Sequence, residues 1–312
     1  GGGRPNHGAF GLFVMICFSV VIPTRNRPER LAACLHSFCR LAYPVDAWEL
    51  IVVNDGGDDS FTAVSPQLRQ SLPIKLIDAP QAGPAAARNC GAAAASFEHL
   101  AFTDDDCRVT PDWLTQFADG FSQSGCDALG GAWCNPQPDK LAMRAAQFLI
   151  EFMYDYMRDE ANNNLMLVSN NVAYKRTAFT AVGGFDETFP LAAGEDMELG
   201  FRLVAHGFRQ GYWPAARVWH HHNLSSWGHV RQQFRYGRGG HFFLQAVAEQ
   251  SKNGRAIQPG SARDFYAALG ESVKQQAEPW SFSALVALAQ TAYRLGQFYQ
   301  RQVSRLANIA NL

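Results

Sequence analysis

Short apolar runs alternate with helical patterns through the first half of the chain. Phe18–Thr24 and Leu50–Val53 are continuous β-branched runs that end in polar turn residues, as buried strands do. Between them Pro28 opens a stretch that places Leu31, Leu35 and Phe38 on one helical face, with Asn26 as the expected N-cap. Ile74–Ile77 and Leu100–Thr103 continue the strand series around an Ala-rich helix over 84–95. Alternation of this kind predicts an α/β layer fold with a mostly parallel mixed sheet. Beyond residue 130 the pattern predicts an apolar-aromatic helix over 141–156, a strand over 165–174 and a Gly-Gly turn at 183–184. An acid-led helix over 195–206 and a strand ending in His220, His221 and His222 come next. From about 226 the chain reads as mostly helical, with polar interruptions near 250–262.

In such sheets ligands bind beyond the carboxyl ends of the strands, so the residues after each apolar run carry most of the chemistry. Here they are Pro23-Thr-Arg-Asn-Arg27, Asn54-Asp-Gly-Gly-Asp58 and Asp104-Asp-Asp106. No GxGxxG follows the first strand and no GxxxxGK[ST] occurs, which removes the main support for dinucleotide-dependent and P-loop chemistry.

Three successive carboxylates repel one another unless a cation or a polar network neutralises them. Asp104–Asp106 therefore suit Mg²⁺ or Mn²⁺ shared with substrate phosphates, or else form a solvated acidic turn before the helix near Trp113. Glu195 and Asp196 open a helix, where acidic groups complement the dipole, but a carboxylate there can also take a proton from a hydroxyl. On a strand, His220 and His222 face one side and His221 the other, so at most two of the three serve one ion.

Taken in order, these segments resemble the family 2 glycosyltransferases. The resemblance is carried by Pro23-Thr-Arg-Asn-Arg27, Val52-Val-Asn-Asp-Gly56, Ala82-Gly-Pro-Ala-Ala-Ala-Arg-Asn89, Phe102-Thr-Asp-Asp-Asp106 and Pro111-Asp-Trp-Leu114. It continues through Asn171-Val-Ala-Tyr-Lys-Arg176, Gly183-Gly-Phe-Asp-Glu187 and Gly194-Glu-Asp-Met-Glu-Leu199, and so covers roughly residues 17–225. The resemblance implies the GT-A fold, a nucleotide-diphosphate-sugar donor with UDP-sugars foremost, Mn²⁺ or Mg²⁺, and inversion at the anomeric carbon. Carried over by position, Pro23, Thr24, Arg25 and Asn26 line the nucleotide pocket, Asp55 meets the base or ribose, and Arg88 meets the nucleotide or its phosphates. Asp104 matches the first aspartate of the family's DXD motif and Asp106 the metal-binding one, with Asp105 between them on the donor side. Asp196 matches the catalytic base, and Asn171 and Glu195 fall in acceptor-side motifs. His220 resembles a histidine that completes the metal site in some relatives. Gln232-Gln-Phe-Arg-Tyr236 is close to the QxxRW motif of processive polysaccharide synthases, which makes Arg235 and Tyr236 candidates to close over the donor diphosphate or to serve the acceptor side.

Two other readings compete with a sugar transferase. A sugar-1-phosphate nucleotidyltransferase would want a Gly-rich phosphate loop after the first strand, and Pro23–Pro28 contains no glycine. A non-catalytic nucleotide- or glycan-binding relative would not need both a metal ligand at Asp106 and a base at Asp196.

Composition adds a division. The 312 residues carry a formal net charge of -1, but residues 1–225 hold 17 basic and 24 acidic side chains, whereas 226–312 hold 10 and 4. Part of the first excess is the acidic site; the basic remainder suits an anionic donor and peripheral contact with the inner face of a cell membrane. A glycan or lipid-linked acceptor is expected, no nucleic-acid partner is, and the location expected is cytoplasmic. Pro279–Tyr293 is uncharged but shorter than the roughly 20 apolar residues of a membrane span. All seven cysteines precede residue 135 without a CxxC pair, which suits small buried thiols in a reducing compartment. The first Met is Met15, so residues 1–15 are expected to be a leader or tag-like extension, 16–225 the GT-A domain and 226–312 a helical extension.

Overall fold

The computed structural model describes residues 15–58, 60–158, 163–252 and 260–310; of the leader expected over 1–15, residues 1–14 lie outside the described residues. The first half alternates strand and helix as the apolar pattern requires. Its elements are β1 (Phe18–Thr24), α1 (Pro28–Phe38), β2 (Trp48–Asp55), α2 (Pro66–Ser71), β3 (Ile74–Ala79), α3 (Pro84–Ala93), β4 (His99–Thr103), β5 (Cys107–Val109) and α4 (Trp113–Ser124). After them come β6 (Ala128–Cys134), α5 (Leu141–Tyr156), β7 (Asn171–Lys175), α6 (Arg176–Ala181), α7 (Glu195–Ala205) and β8 (Gln210–His220). Three helices end the chain: α8 (Ser226–Lys252), α9 (Ala262–Lys274) and α10 (Trp280–Ala310).

One sheet of eight strands runs in the order β3-β2-β1-β4-β7-β6-β8-β5. The first four are parallel neighbours, β7 is antiparallel to both β4 and β6, and β8 pairs parallel with β6 and antiparallel with β5. Strand alternation sends Phe18, Val20 and Ile22 into the core under α1 and α4, and Val21 to the opposite face with Ile51, Val53 and Phe102 under α3, α6 and α7. The helical face expected from Leu31, Leu35 and Phe38 is fully buried in the first of these cores.

Three local expectations need correction. Asn26 does not cap α1: the N-cap is Arg27 without a side-chain bond, and Asn26 instead adopts φ +50° and accepts the Asp58 N–H at 3.0 Å. The strand expected over 165–174 begins only at Asn171, because Asn164 and the Tyr154 hydroxyl bind the peptide groups that precede it. The strand through the histidines ends at His220. Of the cysteines, Cys34, Cys107 and Cys126 are buried, Cys39 is exposed, and all seven are free thiols.

The three C-terminal helices form a third core with α5, built on Phe148, Leu149, Phe152, Leu269, Phe282 and Val286. Glycine makes this packing close. A Cβ on Gly237 would sit 1.9 Å from the Tyr293 carbonyl oxygen and one on Gly296 would sit 2.0 Å from that of Phe234, so α8 and α10 meet backbone to backbone. Gly239 is pressed as closely against Ala193, in the loop that leads into α7. The basic segment is thereby fastened to the loop that precedes Glu195 and Asp196.

Candidate active site

A cavity of about 1130 Å³ opens where β1, β2 and β4 end, and extends between α7 and the C-terminal helices. Of the residues singled out in the sequence, Pro23, Thr24, Arg25, Asp55, Arg88, Asp104, Asp105, Asp106, Glu195, Asp196, His220, Arg235 and Tyr236 all line it. Asn26 and Asn171 do not.

At the end of β2 the buried Asp55 carboxylate accepts the N–H groups of Ala82 at 2.7 Å and Gly83 at 3.0 Å. These bonds fix the loop before α3, whose N-terminus follows Gly83 at φ +93°, a conformation that costs glycine least. Asp55 thus shapes the pocket wall as well as lining it. Asn171 is buried in the sheet: its Nδ2 donates to the carbonyls of Ala132 at 2.8 Å and Ala216 at 2.9 Å, and its Oδ1 accepts the Trp113 indole N–H. Strand alternation turns it away from the cavity. The preceding Asn170 lines the cavity instead, with Nδ2 3.4 Å from His220 Nδ1.

The turn after β4 separates three carboxylates that the sequence places side by side. Asp104 receives the buried Arg88 guanidinium at 2.8 Å. Asp105 accepts the Thr24 hydroxyl at 2.8 Å and faces Arg27 at 3.4 Å, yet burial pushes its carboxyl up to about 6. Asp106 meets Arg30 at 3.2 Å and His220 Nε2 at 3.3 Å. Burial opposes its ionisation, but the His220 hydrogen bond and the fields of His220, Arg30 and Arg27 prevail and hold it near about 2. Arg27, part of the strand-end segment but without a role there, and Arg30, not a candidate, are the N-cap and a first-turn residue of α1, and both reach the acidic turn.

Pairing of β5 with β8 sets Cys107 opposite His220, which is why Asp106 and His220 meet. Asp106, Cys107 and His220 offer ligand atoms within 4.8 Å of one another. Burial raises the Cys107 thiol well above its usual range, leaving it protonated and unsuited to bind a hard cation. The carboxylate and imidazole fit one: adjacent ligands of an octahedral Mg²⁺ or Mn²⁺ lie roughly 3 Å apart at metal–oxygen distances of about 2.1 Å. His222 places Nδ1 2.7 Å from His220 Nδ1, so one of these nitrogens donates to the other and fixes the ring of His220.

Glu195 and Asp196, which also line the cavity, open α7. Glu195 is buried with one oxygen 3.4 Å from Arg88, and burial, aided by Asp196, pushes it up to about 7. Asp196 accepts the N–H groups of Ser169 at 3.3 Å and Met197 at 2.9 Å, but burial still raises its pKa. Arg88 joins this pair to the first cluster through Asp104. Glu198, one turn on, is occupied by Arg202 at 2.6 Å and takes no part. Asn170 Oδ1, Glu195 Oε2 and His222 Nε2 are buried in this lining without a hydrogen-bond partner among the described residues, as in a site shaped for a polar ligand.

Residues 19–183, more than half of the chain, match the family described as Glycosyl transferase family 2. The chain belongs to that family. It is 28% identical over 225 residues to glycosyltransferase AglE of Haloferax volcanii, covering 71% of this chain and 72% of that protein. It is 30% identical over 242 residues to the pre-mycofactocin glycosyltransferase of Mycobacterium tuberculosis, where it spans 46% of the relative's length. Among solved structures it is similar to the mannosyltransferase PcManGT from Pyrobaculum calidifontis in complex with GDP-Man and Mn²⁺. That match has a TM-score of 0.62 and 18% identity over 94% of this chain and 85% of the other. S. aureus TarS 1–349 in complex with UDP-GlcNAc superposes at a TM-score of 0.53 with 18% identity, covering 92% of both chains. The mixed sheet and C-terminal helices are those of a GT-A glycosyltransferase.

Proposed function

We propose that this family 2 glycosyltransferase is an inverting, divalent-metal-dependent enzyme. It transfers a sugar from a nucleotide diphosphate to an acceptor hydroxyl. The observation that carries this reading is one cavity lined by both the Asp106–His220 pair and the Glu195–Asp196 pair, with Arg88 joining Asp104 to Glu195. The nucleotide would lie against Pro23, Thr24, Arg25 and Asp55, its diphosphate reaching toward Asp104 and Asp106. Asp106 and His220 would hold Mn²⁺ or Mg²⁺, which supplies positive charge for the leaving diphosphate.

The rest of the chemistry falls to the chain's own groups. The acceptor oxygen bonds to the anomeric carbon, the bond from that carbon to the diphosphate breaks, and the acceptor proton passes to Asp196. The raised pKa of Asp196 suits a general base working near neutral pH. One base and one displacement from the opposite face imply inversion, as in single-displacement glycoside hydrolysis. Arg235 is exposed and lines the cavity with Tyr236, and the two would close over the donor. No helix among the described residues is long and apolar enough to cross a membrane, and the basic C-terminal helices supply the peripheral contact. UDP-sugars are the first donors to test and a glycan or lipid-linked hydroxyl is the acceptor class.

A thermal-shift panel of UDP-, GDP- and dTDP-sugars, each with and without Mn²⁺, tests the assignment. One nucleotide series should stabilise the protein only with metal, and Asp106→Ala should abolish that metal dependence. Equal shifts with and without Mn²⁺ would remove the metal from the reading, and an α-linked product from an α-linked donor, seen by NMR, would remove inversion.

A further inference from the structure

Arg30 stands between the acidic turn and the open part of the cavity. It belongs to the first turn of α1, lines the cavity and keeps 48% of its side chain exposed to solvent. Its Nη1 donates to Asp106 Oδ2 at 3.2 Å, whereas His220 Nε2 lies 3.3 Å from Oδ1 of the same carboxylate. The two oxygens thus serve two partners, and an ion shared by Oδ1 and His220 leaves Oδ2 to Arg30. Among the described residues the Arg30 side chain makes no other hydrogen bond, so most of its N–H donors are uncommitted. An ion pair with so exposed an arginine adds little to stability, and Asp106 already has His220. The surrounding charges argue for a ligand instead. Arg88 is taken up by Asp104 and Glu195, and Arg27 faces the buried Asp105. A divalent ion on Asp106 keeps only part of its charge, while a nucleotide diphosphate gains a further negative charge as the sugar leaves. A second cation beside that carboxylate meets the excess, and the planar fork of arginine matches phosphate oxygens in pairs. Arg25 and Arg235 also line the cavity, but among the described residues neither pairs with the acidic turn.

We propose that Arg30 is a diphosphate-binding residue: held by Asp106 beside the metal ligands, it donates to the phosphate oxygens and offsets the charge that departs with the nucleotide. The inference deepens the transferase reading above and rests on it. The same guanidinium repels a metal ion that arrives alone, since both are positive. Arg30 therefore favours metal and diphosphate together over the metal by itself.

Calorimetry of the full chain with Mn²⁺ compares UDP with uridine, and GDP with guanosine, in the wild type and in Arg30→Gln. The exposure of Arg30 means that its replacement does not threaten folding. For the base that binds, the substitution should raise the diphosphate Kd about tenfold, as expected for one lost charge-assisted bond, and change the nucleoside Kd less than about twofold. Arg30→Lys keeps the charge without the fork and should recover part of the diphosphate affinity. Mn²⁺ titrated alone, followed by electron paramagnetic resonance, should bind Arg30→Gln at least as tightly as the wild type, and up to about threefold more tightly at low salt. Arg40→Gln removes an exposed arginine just past α1 and outside the cavity, and should move none of these constants. Weaker binding of Mn²⁺ alone to Arg30→Gln would mean that the arginine merely steadies Asp106, and overturns the proposal. A diphosphate Kd that stays where it was, or that moves no more than the nucleoside Kd, overturns it as well. If the wild type binds neither diphosphate more tightly with Mn²⁺ than with EDTA, the metal-dependent reading fails and the proposal fails with it.

Discussion

Two acidic clusters line the cavity, joined by Arg88, and the chain treats them differently. Asp104, Asp105 and Asp106 are contiguous in sequence, yet each meets its own cation: Arg88, Arg27 and Arg30, with His220 added to Asp106. Glu195 and Asp196 share one cation, Arg88, which Asp104 already engages more closely. The result is Asp106 held at about 2, while burial raises Asp105 beside it and Glu195 and Asp196 in the other cluster. A group kept ionised can bind a metal, and a group reluctant to ionise can accept a proton. The His220 bond with the Arg30 and Arg27 fields, more than charge density along the chain, sets Asp106 apart.

The comparison breaks most visibly at Asp196. Asp196→Asn should lower kcat by about 10²–10⁴, with the donor Kd changed less than about twofold in calorimetry. Lost donor binding with retained turnover would reverse the assignment. In the wild type the acid limb of the rate profile should lie above the ordinary aspartate range, since the base works only when deprotonated and its pKa is raised. Arg88→Met removes the bridge between the clusters and leaves the buried Glu195 without its cation. Urea unfolding at pH 8 should show a loss of about 3 kcal/mol, and a much smaller loss at pH 5, where Glu195 is protonated.

Glu195→Gln runs the other way. A carboxyl raised to about 7 in the folded chain, against 4.5 unfolded, contributes stability that is present below pH 4.5 and lost as pH rises through 7. The amide should therefore stabilise the protein at pH 8 by on the order of 2 kcal/mol and change little at pH 4. Melting temperatures at the two pH values check both the sign and the window. The smallest effect concerns the turn that aims Arg27 at the first cluster. Asn26→Ala should cost about 1 kcal/mol more than Asn26→Gly, because φ +50° strains a residue with a Cβ.

Much of the strand-end half of the cavity was legible from sequence because its signals are local. The β-branched runs, Pro28 at the start of α1 and the acidic turn all lie within a few residues of the groups they position. Asn26 misled because a polar residue before a proline-led helix is usually a cap, whereas here the loop after β2 takes its side chain. Asn171 misled because a motif carries residue types but not the strand phase that turns one asparagine into the sheet and its neighbour into the cavity. Arg27 and Arg30 carry no role in the sequence pattern, and only their closeness to Asp105 and Asp106 distinguishes them.

By itself the sequence determined the α/β alternation, the order of the motifs and the residue types at the strand ends, since periodicity and turn chemistry are short-range. Tertiary structure alone decided which carboxylates would be neutralised, because Arg88 reaches Asp104 and Glu195 only after β4 and α7 have been brought to the same end of the sheet. It also decided that the basic C-terminal segment belongs to the site. Gly237 and Gly239 allow α8 to approach α10 and the Ala193 loop at backbone distance, a contact between segments far apart in the chain.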